Sequence, residues 1–524
     1  MMTEFKGFFS RYRLILLLII SAVARLVIGS LVELGNDEVY YINYALYPDL
    51  SHFDHPPMVG WFIQFFTLNL TFQAEGWIRL AAVFSGTLST WLIYLIGRQI
   101  GDRLTGWYAA LLYTSSFYGF VITGLFMMPD GPQMVFWLAA LLFLLKSIEK
   151  EETKSTLSTS EKATAVWFLL AGLCTGLALL SKYTSAFILF GTFLYFLRNR
   201  QWFKKWYVYL GVVVAFICFI PVIIWNYQHD FISFTFHSDR IEVTNKLFRL
   251  DTFAKEVAGQ ILYNNPVVFF LTLIALISFY KHKLCPGNKS IRLLVNIALP
   301  LILIFLVISL FRSTLPHWSG PAYVTLIPLT AAWIRQNTTC GRKGLAIPRS
   351  IAAALLVLVL VITLALLQLF EGVIFNKGID PATGKRLGWK DITLDMYGWK
   401  QLNAGFTKLY HSDLQTGKMD STAVIISHRW FPAANIDYYV ARPNGITLLT
   451  LAPLERTHKY AWITEYRGGI KPHMNAYFIS SSYDFEDPRW NYEKDFSIQP
   501  PDTIPVYRKQ LLVKYYYVWK MKVK

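Results

Sequence analysis

The chain has 524 residues, 54% of them hydrophobic and only 16% charged, with a mean hydropathy of +0.37. Soluble chains carry about 25% charged residues, so the composition excludes an ordinary soluble enzyme and places the chain in the membrane class. The formal charge of +17 comes from Lys and Arg clustered in alternate loops, as the positive-inside rule requires, and no nucleic-acid motif or repeat accompanies it.

Lys6, Arg11 and Arg13 precede the first apolar segment, 14–34. That segment is too long for a signal-peptide core and reads as an uncleaved span. Further spans of about 20 apolar residues are expected near 77–97, 105–127, 131–146, 164–181, 183–198, 206–225, 266–280, 293–311, 319–334 and 350–370, eleven in all. Basic residues mark one set of loops: Arg98/Arg103, Lys146 to Lys162, Arg198 to Lys205, Lys281 to Arg292 and Arg335 to Arg349. That side is cytoplasmic by the same rule. The opposite side carries 35–76, which has no Lys or Arg, together with the 128–130 turn, 226–265 and 312–318. The polar stretch 147–162 is expected to be a flexible cytoplasmic loop. Arg25, inside the first span, reads as a snorkelling or helix-pairing residue rather than a ligand.

The candidate chemistry lies on the outer side. Asp37 and Glu38 follow directly on the first span. Acids held at a bilayer surface are costly to desolvate and are functional candidates. A carboxylate of ordinary pKa can accept the proton of a sugar hydroxyl as that hydroxyl attacks an anomeric carbon. The structural alternative is that Asn36 or Asp37 caps a juxtamembrane helix. Asp54 and His55, in Phe53-Asp-His-Pro-Pro57, are types that ligate a divalent metal, although two adjacent ligands are a weak signal and Pro-Pro also makes a rigid turn. Asp130, in Met128-Pro-Asp130, is a substrate contact or the cap of the next helix. Lys182 interrupts an apolar stretch from Val166 to Leu197. A buried ammonium requires an anion, and a lipid phosphate suits it; the alternative is a snorkelling side chain in a hairpin turn. Arg312 is a phosphate candidate and His317 a sugar or metal contact, with interfacial anchoring as the alternative for the Arg312–Trp318 segment. Trp225 to His229 is a weaker candidate for a polar pocket lining.

Cys174, Cys218, Cys285 and Cys340 show no CxxC or Cys/His metal spacing, which argues against a disulfide framework or a zinc-thiolate site. The membrane domain is expected to occupy 1–370, with 35–76 as its catalytic outer loop. From 371 to 524 the composition is that of a small soluble α/β domain, with strands near 423–427, 446–450, 476–480 and 504–507 and helices near 396–411 and 432–440. Eleven spans would put it outside the membrane, and an even count would put it in the cytoplasm.

The ordered set Asp-Glu-x-Tyr-Tyr, Phe-Asp-His-Pro-Pro, Pro-Asp, Ser-Lys-Tyr, Trp-Asn-x-Gln-His and His-Trp-x-x-Pro-Ala-Tyr resembles the bacterial family 39 glycosyltransferases. These are relatives of protein O-mannosyltransferases and of the aminoarabinose and galacturonosyl transferases of lipid A. The resemblance covers about 1–335 and extends to Asp395-Met-Tyr-Gly-Trp399 and Tyr438-Tyr439. It implies a polytopic α-helical GT-C fold in the bacterial cytoplasmic membrane and a polyprenyl-phosphate sugar as donor. The acceptor would be a lipid, glycan or protein, and the reaction would invert the anomeric carbon. It implies Asp37 as base with Glu38 beside it, Tyr41 on the substrate side and Lys182 near the lipid phosphate. Asp54 and His55 stand where some relatives have a metal-contacting Glu and a Lys. The competing class is a lipid-linked sugar transporter or flippase. Transporters show paired repeats and Gly/Pro-broken helices in corresponding halves. None is found here, and the acids cluster in one outer loop.

Overall fold

The computed structural model describes residues 2–152, 159–241, 248–284, 288–338, 347–374, 387–388, 391–471 and 474–524. Cys285, Cys340 and the centre of the polar 147–162 stretch lie outside them; Cys174 and Cys218 are free thiols. The chain divides into two compact units, one of residues 1–30 and 48–360, the other of Leu31–Tyr47 and Val361–Lys524. The expected boundary near 370 thus falls at 360, inside a helix. The expected catalytic loop 35–76 is also cut, with its first residues built into the second unit.

The helices in chain order are α1 (Met2–Leu31), α2 (Asn36–Leu46), α3 (Met58–Phe66), α4 (Glu75–Ile100), α5 (Arg103–Ser115), α6 (Asp130–Glu152), α7 (Thr159–Leu179), α8 (Ala186–Arg198), α9 (Trp206–Gln228) and α10 (Ile232–Ile241). They continue as α11 (Leu250–Tyr263), α12 (Pro266–Tyr280), α13 (Lys289–Ser309), α14 (Gly320–Asn337) and α15 (Arg349–Glu371). Among the described residues, seven helices are long and apolar enough to span a bilayer: α1, α4, α6, α7, α9, α13 and α15. A bent α11–α12 pair would make eight. The remaining expected spans are helical but differ in form. The 105–127 span stops at Ser115 and becomes a π turn over Tyr118–Ile122, α8 has only 13 residues, and α11 meets α12 at 100°. The polar 147–162 stretch is mostly helix at its two ends, where α6 and α7 extend beyond the membrane-length segments.

Local chemistry explains these breaks. Asp102 caps α5, accepting from the Thr105 amide at 2.7 Å as an N-cap acid should. The α11–α12 bend centres on Asn265, which adopts φ +65° ahead of Pro266. Its buried amide donates to the carbonyls of Ser115 (2.9 Å) and Ala354 (2.8 Å), pinning α5 and α15 to the bend. Arg25 is fully buried on α1 and donates to the carbonyls of Phe120 and Gly119, each at 3.2 Å. The π turn supplies those carbonyls. Arg25 is therefore a helix-pairing residue, one of the two roles its place in the span allowed.

The second unit is a mixed α/β domain. Its strands are β1 (Val424–Ser427), β2 (Leu448–Thr450), β3 (Ala476–Ser481), β4 (Phe496–Ile498), β5 (Asp502–Arg508) and β6 (Leu511–Val523). They form one sheet in the order β2-β1-β3-β6-β4, with β5 also on β6. β1 runs parallel to β2 and β3, while β6 is antiparallel to β3, β4 and β5. β1 is buried throughout, as parallel strands covered on both faces are. Val424, Ile426, Phe478, Trp519 and Met521 share one core cluster. On the other side Phe406 of α16 (Trp399–Gln415) lies against Tyr477 of β3; further helices are α17 (Trp430–Ile436), α18 (Leu454–Thr457) and α19 (Tyr460–Tyr466).

Candidate active site

In the second unit, α2 carries the two acids, and the structure gives them different surroundings. The N-cap is Gly35, not Asn36 or Asp37. Glu38, 2% exposed, turns back and accepts the Gly35 amide at 2.9 Å. This is the carboxylate half of a capping box, favoured by the helix dipole. Asp37, one residue earlier, is exposed. Tyr41 is buried and packs edge-on against Tyr40 (5.6 Å) and Tyr44 (5.4 Å) in the core of this unit. The far end of α2 is fixed by a polar network around buried Asp437. Arg467 and Arg442 pair with Asp437 at 2.9 and 3.1 Å, Arg442 reaches Asn43 at 3.1 Å, and Arg467 Nε donates to the Tyr47 hydroxyl at 3.1 Å. Near the start of α2, burial raises the carboxyls of Glu33 and Asp395 and pushes the Lys514 ammonium down to about 8.

In the first unit a second cluster forms. Asp130 opens α6 and is 1% exposed. Lys182 lies just beyond α7 in extended backbone, and its ammonium donates to both Asp130 oxygens at 2.9 and 2.8 Å. Tyr118 donates to the same carboxylate at 2.9 Å. Gln133, one turn along α6, donates to Thr184 (2.8 Å) and Ser185 (3.0 Å), so α6 holds the Lys182 loop at two points. The Tyr118 ring lies against Gly320, where an added Cβ would sit 2.2 Å from it. Only glycine permits this approach, which brings the His317 segment beside the pair. Burial, and then the Lys182 charge, hold His317 down to about 4, so its ring is neutral at physiological pH.

Asp54 is buried and His55 half-buried. Burial pushes His55 down to about 3, with Lys182 adding to the shift and Asp54 and Asp130 opposing it. His237, which carries no sequence motif, donates from Nε2 to the Asp54 carbonyl at 2.7 Å, and its ring lies 6.1 Å from that of His55. Among the described residues no group of three or more His, Cys, Asp or Glu could hold a metal ion. Structural and catalytic zinc sites use three or four such ligands.

The first unit thus brings Asp130, Lys182, His55 and His317 into one electrostatic neighbourhood. Arg312 is seated on the Asp239 carbonyl of α10. Arg240, not singled out by the sequence, lies over the rings of Phe236 (5.2 Å) and Trp318 (5.3 Å), and its charge acts on both His237 and His317. In the Trp225–His229 segment, His229 stacks on Trp225 at 4.0 Å, and Trp225 donates to Asp49 at 2.8 Å.

The family model described as dolichyl-phosphate-mannose-protein mannosyltransferase matches residues 54–225, which include Asp54, His55, Asp130 and Lys182. The lipid A galacturonosyltransferase RgtD of Rhizobium johnstonii is 24% identical over 300 residues, 57% of this chain and 60% of that relative's length. ArnT from Cupriavidus metallidurans, solved with undecaprenyl phosphate, superposes with a TM-score of 0.62 at 14% identity, covering 96% of this chain and 97% of that one. Its apo form gives the same TM-score at 13% identity, covering 97% and 98%. The chain shares the fold of these structures. Asp37, Glu38, Arg312 and His317 lie outside the segment matched by the family model.

Proposed function

We propose that this protein is a glycosyltransferase that moves a sugar from a polyprenyl-phosphate donor to a lipid-borne acceptor at the outer face of the bacterial cytoplasmic membrane. The observation that carries the reading is the division of labour between the two acids of α2. Glu38 is buried on a capping bond, and Asp37 is exposed on a helix fixed at both ends. An exposed carboxylate on a fixed helix has the placement a general base needs. ArnT, solved with undecaprenyl phosphate, supports the donor class, and the name of RgtD supports lipid A as acceptor. The outer-face placement, with the 371–524 domain outside, rests on the basic loops of the opposite side.

Asp37 takes the proton of the acceptor hydroxyl as its oxygen attacks the anomeric carbon. The bond from that carbon to the phosphate oxygen breaks, and the lipid phosphate leaves with the electron pair. Lys182 stabilises the charge that develops there. Two of its three N–H donors are directed at Asp130, and the third serves a phosphate oxygen. Arg312 is a second candidate for that charge, and Asp130, through Lys182, orients it.

The test is transfer by the purified protein in nanodiscs, using a panel of polyprenyl-phosphate sugars and lipid A acceptors read by mass spectrometry. Asp37→Asn should lose about 10²–10⁴-fold in turnover while retaining donor binding. A folded Asp37→Asn protein that works at the wild-type rate removes Asp37 as base, and donor crossing the bilayer without product would favour a flippase.

A further inference from the structure

The tail segments Asp395–Trp399 and Tyr438–Tyr439 have no part in the chemistry above, yet both end on the two residues that lead into α2. Glu33 accepts the amides of Trp399 (2.9 Å) and Lys400 (3.1 Å), the first donors of α16. Those amides have no partner within their own helix, and an anion is favoured there. The approach depends on Gly398, which enters α16 at φ +93° with Val506 so close that a Cβ would sit 2.5 Å from it. Leu34 is fully buried, and its amide donates to the Tyr439 hydroxyl at 2.7 Å. Gly35 then rests against Met396. The strand of chain two to four residues ahead of Asp37 is therefore fastened from both sides by the C-terminal domain.

We propose that Glu33 and Tyr439 are positioning residues for glycosyl transfer, holding the entry to α2 so that Asp37 meets the acceptor hydroxyl. The inference rests on the assignment of Asp37 as base. A base acts only within hydrogen-bond reach of its proton, about 2.6–3.2 Å, and a misplacement of about 1 Å can cost 10²-fold. The C-terminal domain is on this account part of the catalytic apparatus. Its two tail motifs act through the backbone of residues 33–35 and do not touch substrate.

The experiment uses the full chain in nanodiscs with Tyr439→Phe, Glu33→Ala and Glu33→Gln, and Asp37→Asn alongside. Turnover, donor KM and hydrogen exchange of the 33–40 amides in the substrate-free protein are measured. Tyr439→Phe and Glu33→Ala are expected to lower kcat about 10–100-fold, hold donor KM within about twofold and speed exchange at 34–38. Glu33→Gln, which keeps a carbonyl acceptor, should recover part of kcat. Wild-type kcat in Tyr439→Phe and Glu33→Ala overturns the clamp, even if exchange is faster. So does a fall in kcat matched by a rise in KM and faster exchange throughout the protein. Should Glu33→Ala fail to fold, Tyr439→Phe, which lacks a single oxygen, carries the test. Wild-type turnover in Asp37→Asn overturns the base assignment instead, so the two failures are distinct.

Discussion

Lys182→Met is expected to destabilise the protein as well as weaken donor binding, because its charge is matched by a carboxylate within the fold. The Lys182 and Asp130 side chains are 7% and 1% exposed, and the ammonium is within 2.9 Å of both carboxylate oxygens. Removing the ammonium leaves Asp130 buried, with the Tyr118 hydroxyl still donating to it. Breaking a buried pair from one side costs about 3–5 kcal/mol, because the remaining charge is uncompensated. Asp130→Asn should cost a comparable amount by stranding Lys182. In the double variant both charges are gone, and its loss should fall short of the sum by about 2 kcal/mol. Lys182→Arg keeps the charge in a different geometry and should retain more stability than Lys182→Met. Unfolding of the four variants in one detergent at one scan rate gives the cycle, and donor-lipid affinity is measured on the same samples. Single losses below about 0.5 kcal/mol, or losses that add within that margin, would refute the pairing as an energetic feature. Full stability with lost donor affinity would instead make Lys182 a phosphate ligand only.

Glu38→Ala removes the bond to the Gly35 amide and should lower stability by about 0.5–2 kcal/mol, while reducing turnover far less than Asp37→Asn; melting and turnover measured together check this. His317 is held at about 4 against an ordinary 6.5, so the folded state binds fewer protons than the unfolded one between those values. Its contribution to stability is present above pH 6.5 and is lost on acidification toward 4. His317→Gln should flatten that part of a stability–pH curve. A reporter fused after Lys524 should be active only outside the cytoplasm. Activity on the cytoplasmic side would change the parity of the spans and the placement of the second unit.

The sequence by itself determined the membrane class, the positions of the long spans, the two acids at the end of the first and the isolated lysine. Each rests on composition or a local run of residues, which a linear reading captures. It also located β1, β2, β3 and β5 and the helix α16. The 13-residue strand β6 escaped it, because Lys514, Lys520 and Lys522 break the apolar alternation. Lys514 and Lys520 are buried only because distant groups receive them: Lys520 pairs with Asp413 and Asp502 at 2.8 and 2.7 Å, and Lys514 donates to the Leu394 carbonyl at 2.8 Å. Span form escaped too, since hydropathy cannot show the π turn whose carbonyls receive Arg25, or the bend pinned by Asn265. The structure decided which acid caps α2 and which remains exposed. It alone paired Lys182 with Asp130, 52 residues away. It drew in His237 and Arg240, which carry no motif, and gave the tail motifs their place beside Glu33 and Leu34. Hydrophobicity and charge are properties of single residues and short windows, whereas a hydrogen-bond partner is set by how the chain closes on itself.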